Sequence, residues 1–173
     1  MKLMLLDMIL LKKLSMLMKK KIRVEFFSQS KKWPRRIPKL RKITSLTIKH
    51  MKKYFKNDCL YNLNLIFSEK TKMTQLNKKY KNKYADTDVL TFVSKITNKN
   101  LGKLIYCDIF FSIDTIEKYV NKNHVKIYDH FTHLLIHSIL HLNNYDHKNL
   151  IQFEKMKKEE IKILKEFEIK NPY

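Results

Sequence analysis

Cysteine is scarce in this sequence. Cys59 and Cys107 are the only two, and they form neither a CxxC motif nor any other short-range pair. This spacing gives no sign of a disulfide framework, so we expect a reducing compartment, the cytoplasm. Each cysteine is interpreted as an ordinary small core residue.

Long hydrophobic runs are also missing. No segment reaches the ~18 consecutive apolar residues that a membrane-spanning helix requires, so no membrane partner is expected. Residues 1–21 come closest, but charged residues interrupt this run, and the parts of a signal peptide are absent or out of order. The length of 173 residues suits one domain. We therefore expect an N-terminal extension at residues 1–21, outside a single domain at residues 22–173.

Acidic residues are few. The chain has 16 of them against 37 lysines and arginines, which gives a formal net charge of +21. On charge alone, such an excess favours a polyanionic partner, with nucleic acid as the first candidate and an anionic membrane surface as the second; of these two we expect the nucleic acid. The excess is nearly all lysine, in a sequence rich in asparagine and isoleucine with one glycine. Coding bias could therefore raise the charge everywhere without a binding patch, and both explanations stay open.

Hydrophobic periodicity indicates an α+β or α/β-like fold with four strands and about five helices. Residues 31–38 are predicted as an extended connection, because Pro34 and Pro38 restrict the residues before them. The predicted strands are residues 22–27, 62–67, 89–93 and 104–111, and the predicted helices are residues 39–55, 68–81, 112–121, 126–142 and 150–167.

The helix predicted at residues 126–142 is the most informative segment. At 100° per residue, His133, His137 and His141 fall within one sector of about 80°. Apolar side chains occupy nearly all the rest of the circumference. A helix of this kind is buried, and its imidazoles need polar partners there.

The histidine spacing indicates a metal as that partner. His137 and His141 are one turn apart, so both imidazoles can reach one ion. Residues 143–144, both asparagine, can end the helix and let the chain return with His147 as a third ligand. Three neutral imidazoles suit one Zn²⁺ and leave a coordination position for water, as in catalytic sites. His133 is assigned to hydrogen bonding around the ligands or to a surface role.

The residue after the first ligand argues against a protease. Zinc proteases with this spacing place a glutamate there as general base, and this chain has Ser138. A metalloprotease is therefore disfavoured. Phosphodiester hydrolysis can rely more on the metal and on charge stabilisation at the phosphoryl oxygens.

Three segments resemble the YbeY family of bacterial endoribonucleases. Residues 137–147, HSILHLNNYDH, are similar to the family signature HGxLHLxGYDH. Residues 77–92 are similar to its N-x-x-Y-R and T-D-V-L-S-F block, and residues 108–112 resemble its G-D-I-x-I-S strand. The resemblance extends over about residues 22–173.

This resemblance implies a mixed four-stranded sheet with flanking helices and a zinc site of three histidines. It also implies single-strand-specific RNA cleavage in 16S rRNA 3′-end maturation and ribosome quality control at the 30S subunit, with no DNA substrate expected. The family's functional arginine falls on Lys81, which we expect to be catalytic. Asp88 is either a helper in the cleft or a turn residue, and Asp146 is grouped with it as an uncertain site residue. The expected RNA-binding surface consists of Lys78, Lys79 and Lys83.

The chain departs from the family pattern at several positions. Ser138 and Asn144 replace glycines of the signature, and Lys81 replaces the arginine. Arginine can hold a phosphate with two parallel hydrogen bonds, whereas lysine offers a point charge. An alternative therefore stays open, a non-catalytic rRNA-binding ribosome assembly factor with a structural zinc.

Overall fold

A computed structural model of the chain describes residues 21–82, 84–98 and 102–173. Residues 1–20, which hold nearly all of the predicted extension, and Lys83 of the predicted RNA-binding surface lie outside the described residues. Within the described ranges, no helix is both long enough and apolar enough to cross a membrane.

Four strands form one mixed sheet in the order β1-β2-β4-β3. β1 pairs parallel with β2, β2 pairs parallel with β4, and β3 pairs antiparallel with β4. This sheet confirms the predicted α+β class. The strands are β1 (Ile22–Ser28), β2 (Cys59–Ser68), β3 (Val89–Asn98) and β4 (Gly102–Ser112).

Six α-helices accompany the sheet within the described ranges, together with a 3₁₀ turn at Met51–Tyr54. The helices are α1 (Lys32–Arg36), α2 (Leu40–His50), α3 (Lys70–Lys81), α4 (Ile113–Asn123), α5 (Ile127–Leu142) and α6 (Leu150–Glu166). α5 packs against β3 of the sheet and against α6.

Two local predictions were wrong. The segment predicted as an extended connection contains α1, because Pro34 falls in its first turn, where a missing N–H costs no helical bond. The helix predicted over residues 39–55 ends at His50 and continues as the 3₁₀ turn. Trp33 secures α1, since its indole donates a 2.9 Å hydrogen bond to the carbonyl of Ser68.

An aromatic cluster fixes α5 on the centre of the sheet. Trp33, Phe67, Phe111 and Phe131 are all at most 2% exposed. Ring centroids are 4.9 Å apart for Trp33 and Phe67 and 5.0 Å apart for Phe111 and Phe131. This packing holds one face of α5 inward, so the histidine stripe is directed away from the sheet centre.

Both cysteines are free and buried, on β2 and β4. Cys107, at a family glycine position, is fully buried, and its burial, followed by the charge of Asp108, raises the pKa of the thiol to about 12. A thiol with so high a pKa behaves as a small apolar side chain at neutral pH.

Candidate metal centre

Three histidine rings converge at the end of α5. The Nε2 atoms of His137 and His141 are 3.0 Å apart, close to the about 3.4 Å between two nitrogens bound tetrahedrally to one zinc ion. One ring nitrogen from each of His137, His141 and His147 lies within 4.8 Å of the others. The centroid of the His147 ring is 5.3 Å from that of His137 and 5.2 Å from that of His141. The structure thus brings the three predicted ligands together.

The turn after α5 delivers His147. Asn144 adopts a φ of 63°, in the left-handed region that asparagine tolerates better than most residues. Its N–H donates to the carbonyl of His141, and the N–H of Tyr145 donates to the carbonyl of Leu140. Asn144 therefore reverses the chain, at a position where the signature that this segment resembles has a glycine.

Asp146 shapes the loop rather than contacting the ligand rings. Its Oδ1 accepts a 2.8 Å hydrogen bond from the backbone N–H of His147, and its Oδ2 lies 2.9 Å from the ammonium of Lys148. The hydrogen bond to Lys148, first, and the backbone N–H of His147 hold the pKa of the Asp146 carboxyl below its usual range. Asp146 is therefore ionised and stabilises the backbone that presents His147.

Hydrogen bonds to the second ring nitrogen orient both helical ligands. Nδ1 of His141 is 2.9 Å from the carbonyl of Tyr145, and Nδ1 of His137 is 2.7 Å from Oε1 of Glu160. A carbonyl and a carboxylate can only accept, so both Nδ1 atoms carry the proton. Each imidazole then presents the lone pair of Nε2, as metal binding requires.

Glu160 is a buried carboxylate beside the ligands that the sequence analysis missed. This carboxylate on α6 is 0% exposed and accepts hydrogen bonds from His137, from Nε2 of His133 at 2.9 Å, and from the hydroxyl of Tyr173. Burial by itself would raise the pKa of Glu160, but the hydrogen bonds from His133 and His137 outweigh it and lower the pKa to about 2. His133 thus shares Glu160 with His137, and its ring also lies edge-on to that of His137, with the ring centroids 6.4 Å apart.

A signal for Glu160 existed in the sequence. The residues of α6 that are buried are Met156, Glu160, Ile163 and Leu164, which share one helical face. A single carboxylate on an otherwise apolar face requires a polar partner. That pattern could have marked Glu160 as part of a buried polar site.

The ligand rings are suited to a cation. Burial, and then the neighbouring His137, lower the pKa of His141 to about 4. Partial burial, and then His137, also lower the pKa of His147, and the charge of Lys81 acts in the same direction. Neutral imidazoles are the form that binds metal, and the buried carboxylate beside them offsets positive charge. The residues present therefore fit a single zinc ion.

A cleft of about 1470 Å³ opens over the histidines. Its wall includes the ammonium-bearing side chains of Lys81, Lys95 and Lys148. Lys95 also donates a 2.6 Å hydrogen bond to the side-chain oxygen of Asn144. The cleft thus brings three lysines to the wall that holds the three histidines, with the carboxylates of Asp88 and Asp146 also in that wall, and most of the chain's lysines lie elsewhere.

Two of the predicted RNA-binding lysines, Lys78 and Lys79, are not among the described residues that line the cleft. Lys78 and Lys79 are exposed on α3, and among the described residues that line the cleft only Lys81 comes from that helix. The ammonium of Lys78 lies 5.0 Å from the ring centroid of Tyr84, and that of Lys79 lies 5.0 Å from the ring centroid of Tyr80. Their role in RNA binding stays a prediction.

Asp88 lies in the turn before β3, and its side chain also lines the cleft, where a helper role stays a prediction. Its Oδ1 accepts a 3.0 Å hydrogen bond from the N–H of Val89 at the start of β3, and its Oδ2 lies 3.0 Å from Nε2 of His130. Burial would raise the pKa of Asp88, but the hydrogen bond and charge of His130 lower it. His130 is itself buried, with its ring stacked on Tyr119 at 4.0 Å. Asp88 therefore ends the turn and also lines the cleft.

Ser138 faces the sheet. It is fully buried, donates a 2.9 Å hydrogen bond to the carbonyl of Leu134, and accepts one of 2.9 Å from the hydroxyl of Thr91 on β3. The hydroxyl thus joins α5 to β3 and is not among the groups that line the cleft. Position 138 therefore has no glutamate to act as the general base that zinc proteases have there.

Comparison with known proteins identifies relatives over most of the chain. The family model described as endoribonuclease YbeY matches residues 25–168. The endoribonuclease YbeY of Ehrlichia ruminantium strain Gardel is 36% identical over 142 residues, which cover 73% of this chain and 87% of that protein. The endoribonuclease YbeY of Anaplasma phagocytophilum strain HZ is 32% identical over 154 residues, which cover 87% of this chain and 96% of that protein.

A solved structure shares the fold. The solution structure of a Thermotoga maritima protein is 22% identical, with a TM-score of 0.51, and the match covers 85% of this chain and 91% of that one. The match to the family model includes the three converging histidines and all of the sheet except the first three residues of β1. By these matches in sequence, the chain belongs to the endoribonuclease YbeY family.

Proposed function

We propose that this chain is a metal-dependent endoribonuclease that hydrolyses phosphodiester bonds in single-stranded RNA, with zinc as its ion. The observation that carries the proposal is the convergence of His137, His141 and His147 in a cleft lined by lysines. Membership of the endoribonuclease YbeY family supports the reaction class and the RNA substrate.

The three imidazoles would hold the ion through one ring nitrogen each. When bound, the ion supplies Lewis acidity, which acidifies water and polarises a phosphoryl oxygen. The chain's own contribution is to keep His141 and His147 neutral through their lowered pKa values. Glu160 and the carbonyl of Tyr145 fix the proton of the two helical ligands on Nδ1.

The lysines of the cleft would bind the phosphates. Lys81 lies close enough to the histidines for its charge to lower the pKa of His147. At that position an ammonium group can offset the negative charge that develops on the phosphoryl oxygens during hydrolysis. Lys95 on β3 and Lys148 in the loop between α5 and α6 would hold neighbouring phosphates. Lys78 and Lys79 would extend this basic surface.

The biological substrate we propose is the 3′ end of 16S rRNA. The family resemblance supports a role in its maturation and in quality control of the 30S ribosomal subunit, in the cytoplasm. Depletion of the protein in its own cells should cause 16S precursors with an extended 3′ end to accumulate. Complementation by the wild-type chain but not by His137→Ala would support this substrate, and normal 16S ends after depletion would refute it.

The reaction is tested with purified protein and a short single-stranded RNA. Cleavage should disappear with a chelator, return with added zinc, and be absent in His137→Ala. Elemental analysis should find about one zinc per wild-type chain and little in His141→Ala, because two imidazoles do not hold the ion tightly. Full zinc occupancy in His141→Ala would refute the site, and chelator-resistant cleavage would refute the metal requirement.

A second candidate is a non-catalytic rRNA-binding assembly factor with a structural zinc. The observation that favours it is Lys81, which occupies the position of the family's arginine and cannot form its two parallel hydrogen bonds to a phosphate. This candidate predicts zinc binding and RNA binding without cleavage. The same cleavage assay separates the two functions.

A further inference from the structure

The carboxylate of Glu160 accepts hydrogen bonds from three donors, which come from two parts of the chain. His133 and His137 come from α5, and Tyr173 comes from the segment after α6. Oε1 accepts from His137 at 2.7 Å, and Oε2 accepts from His133 at 2.9 Å and from the tyrosine hydroxyl. Oε1 therefore orients the predicted metal ligand His137, whereas Oε2 is fixed in position by His133 and Tyr173.

Tyr173 reaches the buried Glu160 from the protein surface. Although 48% of the residue is exposed, its hydroxyl reaches a carboxylate that is 0% exposed. Its ring lies 5.9 Å from that of His133 and 6.0 Å from that of Phe153, and the ammonium of Lys157 lies 5.3 Å from its centroid. Pro172 and Tyr173 also line the cleft. The C-terminal segment is thus attached to the site at several points.

We propose that Glu160 is a positioning residue for the metal ligand His137, and that the hydrogen bond from the hydroxyl of Tyr173 holds Glu160 in place. The C-terminal segment of the chain thereby sets how tightly the site binds its ion. This inference rests on the proposed zinc site and adds to it two residues that do not touch the ion.

The positioning role of Glu160 depends on its two hydrogen-bond acceptor oxygens. A carboxylate offers two oxygens, so it can accept from both imidazoles at once and leave Nε2 of His137 free of a proton. A glutamine at this position has one acceptor oxygen and one amide that donates. Either His133 or His137 would then face a donor, which would favour the wrong tautomer or rotate the ring. Replacing such a partner of a metal-binding histidine typically weakens metal binding about 10- to 100-fold.

Two variants and two matched controls test the proposal on the full-length protein. Glu160→Gln replaces one of the two acceptor oxygens by an amide, and Tyr173→Phe removes only the hydroxyl that donates to Glu160. Glu159→Gln and Tyr54→Phe are the controls, because Glu159 is the next residue on α6 and its carboxylate accepts a hydrogen bond from the phenol of Tyr54 away from the ligands. Zinc affinity is measured by competition with a chromophoric chelator, and thermal unfolding of the zinc-free proteins records stability separately.

Zinc should bind Glu160→Gln about 10- to 100-fold more weakly than the wild type, Tyr173→Phe should bind it with an affinity between these two, and both controls should match the wild type. Cobalt substitution adds a readout of geometry, since the visible absorption of bound Co²⁺ should shift in Glu160→Gln and keep its wild-type form in Glu159→Gln.

The outcomes separate this inference from the function. A wild-type chain that binds no zinc would refute the proposed site itself. A wild type that binds zinc, with unchanged affinity and cobalt spectrum in a folded Glu160→Gln, would overturn only the positioning role. If Glu160→Gln does not fold, Tyr173→Phe decides, and zinc affinity equal to the wild type in that variant overturns the proposal.

Discussion

Raising the salt concentration should weaken RNA binding by an amount set by the three lysines of the cleft. Lys81, Lys95 and Lys148 line it, and we take each to neutralise one phosphate. For single strands the slope of log K against log salt is about −0.7 per phosphate, so three contacts give about −2. Between about 50 and 200 mM salt, the affinity should therefore fall roughly 20-fold.

The measurement is fluorescence anisotropy with a single-stranded RNA that carries 2′-O-methyl groups and is not cleaved. Each single Lys→Gln substitution at the three positions should lower the slope by about 0.7, and the triple variant should lose most of it. Lys42→Gln is the matched control. Lys42 lines a separate groove beside β1, and β1 and β3 are opposite edges of the sheet. This control should leave the slope unchanged.

A triple variant with the wild-type slope would refute the phosphate contacts in the cleft. An equal loss of slope in Lys42→Gln would show that binding depends on the overall charge of +21 rather than on these lysines. Either result would favour coding bias as the origin of the basic excess.

Three further expectations concern catalysis, pH and the core. Lys81→Arg should speed RNA cleavage by restoring paired hydrogen bonds to phosphate, and Lys81→Met should slow it about 100-fold, as single-turnover rates would show. Because the pKa of His141 is about 4 when folded and 6.5 when unperturbed, the unfolded chain takes up the proton first. The zinc-free protein should lose stability as the pH falls from 6.5 toward about 4, and urea unfolding should show a smaller loss in His141→Ala. Phe131→Ala, which empties a fully buried position, should cost about 3–5 kcal/mol by urea unfolding.

Each of these expectations has a control or a contrary result. Lys42→Arg should leave the cleavage rate unchanged, and a Lys81→Arg variant no faster than the wild type would contradict the role of paired hydrogen bonds. An identical loss of stability on acidification in the wild type and in His141→Ala would contradict the lowered pKa. Phe27→Ala, at a position that is 45% exposed, should cost much less than Phe131→Ala, and equal costs would contradict the aromatic cluster.

Most of the secondary structure could be predicted because its signals are local. The strand predicted at residues 62–67 lies within β2, where burial alternates up to Leu65 and is continuous from there, and α5 begins within one residue of its predicted start. The failures lie at residues 31–38 and 51–55, where short-range rules compete with packing. Trp33 inserts between the sheet and α5 and so stabilises a helix that the two prolines argued against.

The sequence by itself determined which side chains could share an ion. His137 and His141 are neighbours on any α-helix, and an asparagine pair can reverse the chain toward His147, whatever the rest of the fold does. These relations span ten residues or fewer, and helical geometry fixes them.

Only the tertiary structure decided what surrounds those ligands. Glu160 meets His137 across 23 positions of the chain, and Asp88 meets His130 across 42. Such contacts depend on how α6 and β3 pack against α5, and no local repeat encodes that packing. The hydrogen-bonded carboxylate that orients His137, and the choice of Lys95 and Lys148 as walls of the cleft, therefore follow from the long-range burial of apolar surface rather than from any motif.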